Sequence, residues 1–123
     1  MAMKTKKLLL TLLTLFSLVQ AKADVEITET YFSDENFRAY LLGQSYGSDG
    51  VITSTEIAAI EDLDVSNKQI SNLKGIEHFT ALTGLYCVKN QLTSLDVSKN
   101  TALTRLSCFN NQLTTLRSYQ DNS

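Results

Sequence analysis

Tryptophan and proline are absent from the 123 residues, histidine occurs once and cysteine twice. These scarcities close off several kinds of chemistry. His78 is the one imidazole, and no Gly-x-Ser-x-Gly turn accompanies it. It is therefore expected as an exposed surface residue, not a catalytic base. Two cysteines with no nearby histidine do not complete a zinc ligand set. The five glycines never form a phosphate-cradling loop. Basic clusters are missing beyond residue 23. Residues 24–123 keep seven of the eleven Lys and Arg and all thirteen Asp and Glu, for a formal charge of −6. Such a chain is a poor partner for nucleic acid or anionic lipid.

Long apolar runs are also scarce. The single example, Leu8 to Val19, follows Lys4, Lys6 and Lys7 and precedes Ala21-Lys22-Ala23. A basic start, a short apolar stretch and a small-x-small site form the plan of a secretory signal peptide, with cleavage expected after Ala23. Twelve residues are too few to span about 30 Å of hydrocarbon. No cysteine marks a lipid anchor at the cleavage site. The mature protein is thus expected to be secreted, periplasmic or at the cell surface, with no stable membrane insertion.

What the sequence does contain is repetition. Leu82, Leu85, Cys87, Asn90, Leu92 and Leu95 recur 21 residues later as Leu103, Leu106, Cys108, Asn111, Leu113 and Leu116. A weaker copy lies 22 residues upstream at Ile60, Leu63, Val65, Lys68, Ile70 and Leu73. The shared template is LxxLxLxxNxLxxL. Its xxLxLxx portion alternates with period two, which predicts a short strand with one face inward. An asparagine can both donate and accept, so Asn90 and Asn111 are expected to satisfy backbone groups where the chain turns out of the sheet. Lys68 breaks this pattern, and a lysine cannot accept. One coil cannot bury its own apolar edge, so the copies must stack.

Ile60 to Leu116 resembles the secreted bacterial leucine-rich-repeat proteins of internalin type. The phrases LDVSKNTALTRLSCFNNQL and ISNLKGIEHFTAL are similar to coils of such proteins from Bacteroidetes. The resemblance implies an α/β fold: a short leucine-rich-repeat solenoid of about three coils with a parallel sheet, behind a helical cap. The expected organisation is a signal peptide over residues 1–23, a helix-loop-helix cap over 24–59, repeats over 60–116 and an irregular tail over 117–123.

In the cap, Ser33 or Asp34 can start a helix whose apolar face is Phe37, Tyr40 and Leu41. The following SYGSDGVITSTE resembles an EF-hand calcium loop, with Asp49 and Glu56 at ligand positions but Ser45 and Gly47 where carboxylates belong. A metal-free reading stands beside it: Thr53 and Glu56 form a capping box, and Asp49-Gly50 is a turn. No cofactor is expected, and calcium is the one candidate metal.

Cys87 and Cys108 are expected inward on successive coils, as stacked small hydrophobes or as a disulfide in an oxidising compartment. Glu61, Asp62 and Asp64 form an acidic cluster at the first strand, expected as a solvated edge. Outward positions are Asp62, Asp64, Ser66 and Asn67, then Gly84, Tyr86, Val88 and Lys89, then Arg105, Ser107, Phe109 and Asn110. Tyr86 and Phe109 have the character of interface anchors. Together with Val88, Lys89, Arg105 and Asp64 they make the candidate contact surface. The expected function is a secreted or cell-surface module, not an enzyme, that holds a protein partner on its concave strands. Two alternatives stand behind it: a truncated repeat protein that self-associates through an open C-terminal coil, and a carbohydrate-active enzyme using the acidic strand.

Overall fold

A computed structural model describes residues 23–122. The expected leader, apart from Ala23, and Ser123 lie outside these residues. The described chain opens with strand β1 (Val25–Glu26) and helix α1 (Glu35–Leu42), followed by β2 (Val51–Ile52) and α2 (Ser54–Ala59). The coils then supply β3 (Asp62–Asp64), a 3-10 turn (Ile76–His78), β4 (Gly84–Tyr86), β5 (Ser94–Val97), β6 (Arg105–Ser107) and β7 (Thr115–Ser118). A second 3-10 turn covers Tyr119–Asn122.

Strands β3, β4 and β6 form one parallel sheet, and β5 and β7 a second parallel ribbon. Leu63 pairs with Leu85 and Leu85 with Leu106, so the sequence offsets of 22 and 21 are the coil lengths. The chain is a short leucine-rich-repeat solenoid. Each coil's backbone ties to the next: Val65 N donates to Tyr86 O and Cys87 N to Ser107 O, both at 2.8 Å. Leu63, Val65, Ile70, Leu82, Leu85, Cys87, Leu92 and Leu95 are all buried between coils. A buried leucine contributes about 2 kcal/mol in area terms.

The ribbon extends the regular structure beyond residue 116, because Arg117 and Ser118 pair with Asp96 and Val97. The segment expected to be an irregular tail from residue 117 therefore begins as strand.

The cap seals the first coil. Phe32, Phe37 and Leu41 are fully buried against the repeat core, and Phe32 meets Phe37 and Phe79 in edge and tilted contacts. Asp34 joins the two units. Its Oδ1 caps α1 by accepting from Asn36 N and Phe37 N at 2.9 and 3.0 Å. Its Oδ2 accepts from Ser71 N at 2.8 Å in the first coil. The other candidate cap residue, Ser33, instead donates to Asn72 Oδ1. Gly75 adopts φ +109° with Phe32 packed directly on its Cα face. A side chain there would meet both a strained backbone and the ring.

The stacked asparagines act backwards along the solenoid. Asn90 Oδ1 accepts from Lys68 N and Ile70 N, both at 3.0 Å, and its Nδ2 donates to Val65 O and Cys87 O. Asn111 likewise accepts from Leu92 N and donates to Cys87 O and Cys108 O. Each amide therefore ties its own coil to the one before, and only the preceding coil donates to its oxygen. The first coil has no coil before it, which removes the need for asparagine at Lys68. That side chain instead sits 5.9 Å from the centroid of the Tyr40 ring in α1.

Candidate functional site

The outward face of the β3–β4–β6 sheet carries the side chains that alternate with the buried leucines. On β3, Asp62 and Asp64 are exposed. On β4, Gly84 was expected to be an open outward position, yet it is buried. Arg105 on β6 reaches over it, and Nη2 lies 2.9 Å from Asp62 Oδ1 on β3. The bridge spans two strand intervals, which is possible because Gly84 has no side chain to obstruct it. Where a Cβ would sit, Asp62 Oδ1, Arg105 Nη2 and Tyr86 Oη converge. Both charged groups stay more than half exposed, so the pair contributes little to stability.

Tyr86 is half-buried, its hydroxyl drawn back along β4 towards this pair. Phe109 is the more prominent anchor candidate, with 64 % of its surface open to water. Val88 is half-buried and Lys89 exposed, and Lys89 N donates to Phe109 O at 3.1 Å, holding the two coils together at this point. The face thus grades from charge at Asp62, Asp64 and Arg105 to apolar surface at Val88 and Phe109. Asp64 Oδ1 accepts from Ser66 N, a local turn bond. Ser66 Oγ in turn accepts from Val88 N.

Lys89 has φ +58°, in the left-handed region. The equivalent residues of the neighbouring coils, Asn67 and Asn110, have φ of +57° and +59°. Asparagine tolerates this conformation far better than lysine.

The candidate calcium residues lie in the cap. Asp49 Oδ1 accepts from Val51 N at 3.1 Å. Glu56 Oε2 accepts from Thr53 N at 2.8 Å, while Glu56 N donates to Thr53 Oγ1, so the capping box forms in full. Among the described residues, no group of three or more His, Cys, Asp and Glu comes together in a way that could hold a metal ion.

His78 differs from its expectation as an exposed residue. It is half-buried, with its ring edge-on to Tyr31 at 5.9 Å and tilted to Phe32 at 6.0 Å. The cap's aromatics cover it, a contact that local sequence does not announce. Asn100 was also missed. It is fully buried, and its Nδ2 donates to Ile76 O and Phe79 O in the preceding coil. Its position in the repeat is occupied by Phe79 one coil earlier, so the 21-residue comparison conceals it.

Both cysteines are free thiols. Burial, with Cys108 adjacent, pushes the Cys87 thiol up to about 12. Cys108 is only half-buried.

No protein-family model matches the chain. Internalin J of Listeria monocytogenes is 38% identical over 71 residues, covering 57% of this chain and 8% of that protein. The solved functional domain of InlJ from the same organism, which includes a cysteine ladder, superposes with a TM-score of 0.65 at 35% identity. That match covers 77% of this chain and 21% of the InlJ chain. The fold is internalin-like. Two further Listeria monocytogenes structures share it. Internalin InlF gives a TM-score of 0.58 at 27% identity, over 79% of this chain and 33% of its own. Internalin C2 gives 0.59 at 21% identity, over 78% and 50%. This internalin-like solenoid therefore spans a small part of the relatives it resembles in sequence.

Proposed function

We propose that the chain is a secreted or cell-surface protein-binding module, not an enzyme, and that its partner contacts the outward face of β3, β4 and β6. The observation that carries this reading is Phe109, a large apolar side chain 64 % exposed beside the half-buried Val88 on a face edged by charged groups. Such anchors concentrate binding energy. Phe109 is the primary contact, Val88 and Tyr86 extend it, and Asp64, Lys89 and Arg105 form its charged rim. The basic-apolar-small plan of residues 1–23 supports export, and the likeness to internalins supports protein recognition. Asp62 is engaged by Arg105, which leaves the acidic strand poorly arranged for paired-carboxylate hydrolysis.

The test is capture of surface proteins from cells sharing the protein's native surroundings. Wild-type chain should retain a defined band that Phe109→Ala loses, with an unchanged circular dichroism spectrum. Retention by both Phe109→Ala and Tyr86→Ala would reject this face as the contact.

A second reading rests on the last coil. Leu116 is 46 % exposed, and Leu103, Leu106, Cys108 and Leu113 are only partly covered. An open apolar end of this kind favours pairing with another copy. Under it, light scattering shows a mass that rises with concentration and that Leu116→Glu returns to the monomer. Under the first reading Leu116→Glu leaves capture intact.

A further inference from the structure

The N-terminal edge of the cap holds a buried polar atom that nothing in the fold answers. Asp24 precedes β1, and its Oδ1 accepts from Ser54 N at 3.1 Å, joining the chain's entry to the start of α2. Its Oδ2 is buried without a hydrogen-bond partner. A carboxylate oxygen in that state is costly and calls for a donor. The residue borders a cavity of about 350 Å³ whose walls include Ala23, Tyr31, Ile57, Glu77 and His78. Oδ2 is turned away from solvent, which favours a donor supplied by the chain itself.

A source within covalent reach is the backbone nitrogen of Asp24 itself. While Ala23 is attached, that nitrogen is a planar amide with one fixed N–H. Hydrolysis changes it. The oxygen of water joins the Ala23 carbonyl carbon, which leaves as a carboxylate. The Asp24 nitrogen takes up protons to become an ammonium with three donors, free to turn about N–Cα towards its own side chain. The bond concerned is the one that Ala21-Lys22-Ala23 marks for leader removal.

We propose that the Ala23–Asp24 bond is a maturation site, whose cleavage creates an N-terminal ammonium that satisfies Asp24 Oδ2 and fastens β1 to α2. The proposal rests on the leader reading given above. Export therefore produces a more stable cap than the uncut chain has. Glu77, His78 and Tyr31 line the same cavity and contribute to its field, and none of them needs to change.

The experiment expresses the full chain with its leader in an exporting bacterial host and identifies the product's first residue by mass spectrometry. The product is then acetylated selectively on its α-amine, and acetylated and free forms are melted from pH 7 to pH 10. The free form should start at Asp24 and melt roughly 4 °C or more above the acetylated form at pH 7. A docked ammonium has its pKa raised in the folded state. Its stabilisation is complete below the ordinary α-amino value of about 7.7 and is lost as pH rises through the raised one. The difference should therefore close at high pH. In Asp24→Asn, which retains Glu77, His78 and Tyr31, acetylation should have no effect. A product beginning at Asp24 whose two forms melt together would overturn the docking and leave the leader reading standing. A product with another first residue would overturn both.

Discussion

Leu85 is fully buried, whereas Leu106, its register partner one coil later, is only partly covered. The same contrast holds for Cys87 and Cys108, Leu92 and Leu113, and Leu95 and Leu116. The template is identical, so the difference comes from what lies on the far side of each coil. The second coil is enclosed between the first and the third. The first coil is closed by Phe32, Phe37 and Leu41 of the cap and by the two-way carboxylate of Asp34. On the third coil, the described residues place only the short turn Tyr119–Asn122 beyond β7. A leucine in this fold is thus stabilised by its neighbours in the stack, and the pattern that predicts its direction does not predict its burial.

The largest effect should come from separating these two leucines. Leu85→Ala removes a side chain packed on all sides and should cost about 4 kcal/mol. Leu106→Ala removes one that water already reaches and should cost about 1–2 kcal/mol. Urea titration of each variant measures both. Equal losses would mean that the third coil is covered in solution, as self-association would cover it, and dilution would then restore the inequality.

The coil count, the strands β3, β4 and β6 and their register were all legible, because period-two alternation repeated at fixed offsets leaves one pairing that buries every leucine. Phe109 was legible as outward for the same reason. The remaining features depend on residues far apart in sequence. Asp62 meets Arg105 across 43 positions, and only the stacked register shows that Gly84 lies beneath them. Asp34 reaches Ser71 across 37 positions. The ribbon of β5 and β7 was not anticipated, because TLRS lacks the apolar residue that Val97 supplies in SLDV, although the two pair at the same 21-residue offset. Lys68 breaks the template because a lysine cannot accept. The amide oxygens of Asn90 and Asn111 accept from the preceding coil, which leaves no such task at position 68.

The cysteines sharpen the comparison by reactivity. A thiol reagent acts on the thiolate and needs access. Cys87 is buried, with its pKa pushed from 9.0 to about 12, whereas Cys108 is half-buried. One thiol per folded chain should label at pH 8, with the label on Cys108, and the second only on unfolding. Peptide mapping reads this directly. The raised value also fixes a sign: Cys87 stays protonated in the folded state when the unfolded thiol ionises. Its stability contribution is complete below about pH 9 and declines as pH rises towards 12. Simultaneous labelling of both residues would show that the second coil opens as readily as the third.

The smallest expected effect concerns the one place where the sealed coil is worse built than the open one. Residues 67, 89 and 110 take the same left-handed turn, with φ between +57° and +59°. Asparagine occupies the first and third, and lysine the second. A lysine held there pays a steric penalty that asparagine largely avoids, about 1 kcal/mol. The Lys89 side chain is exposed, so its replacement disturbs no packing. Lys89→Asn should raise stability by up to that amount, measured as an increase in the urea midpoint with an unchanged slope. Asn110→Lys should lower it by a similar or smaller amount, since the third coil has less to hold it in place. A loss of stability in Lys89→Asn would mean that the lysine makes a compensating contact, and the charged rim proposed around Phe109 is where to look for it.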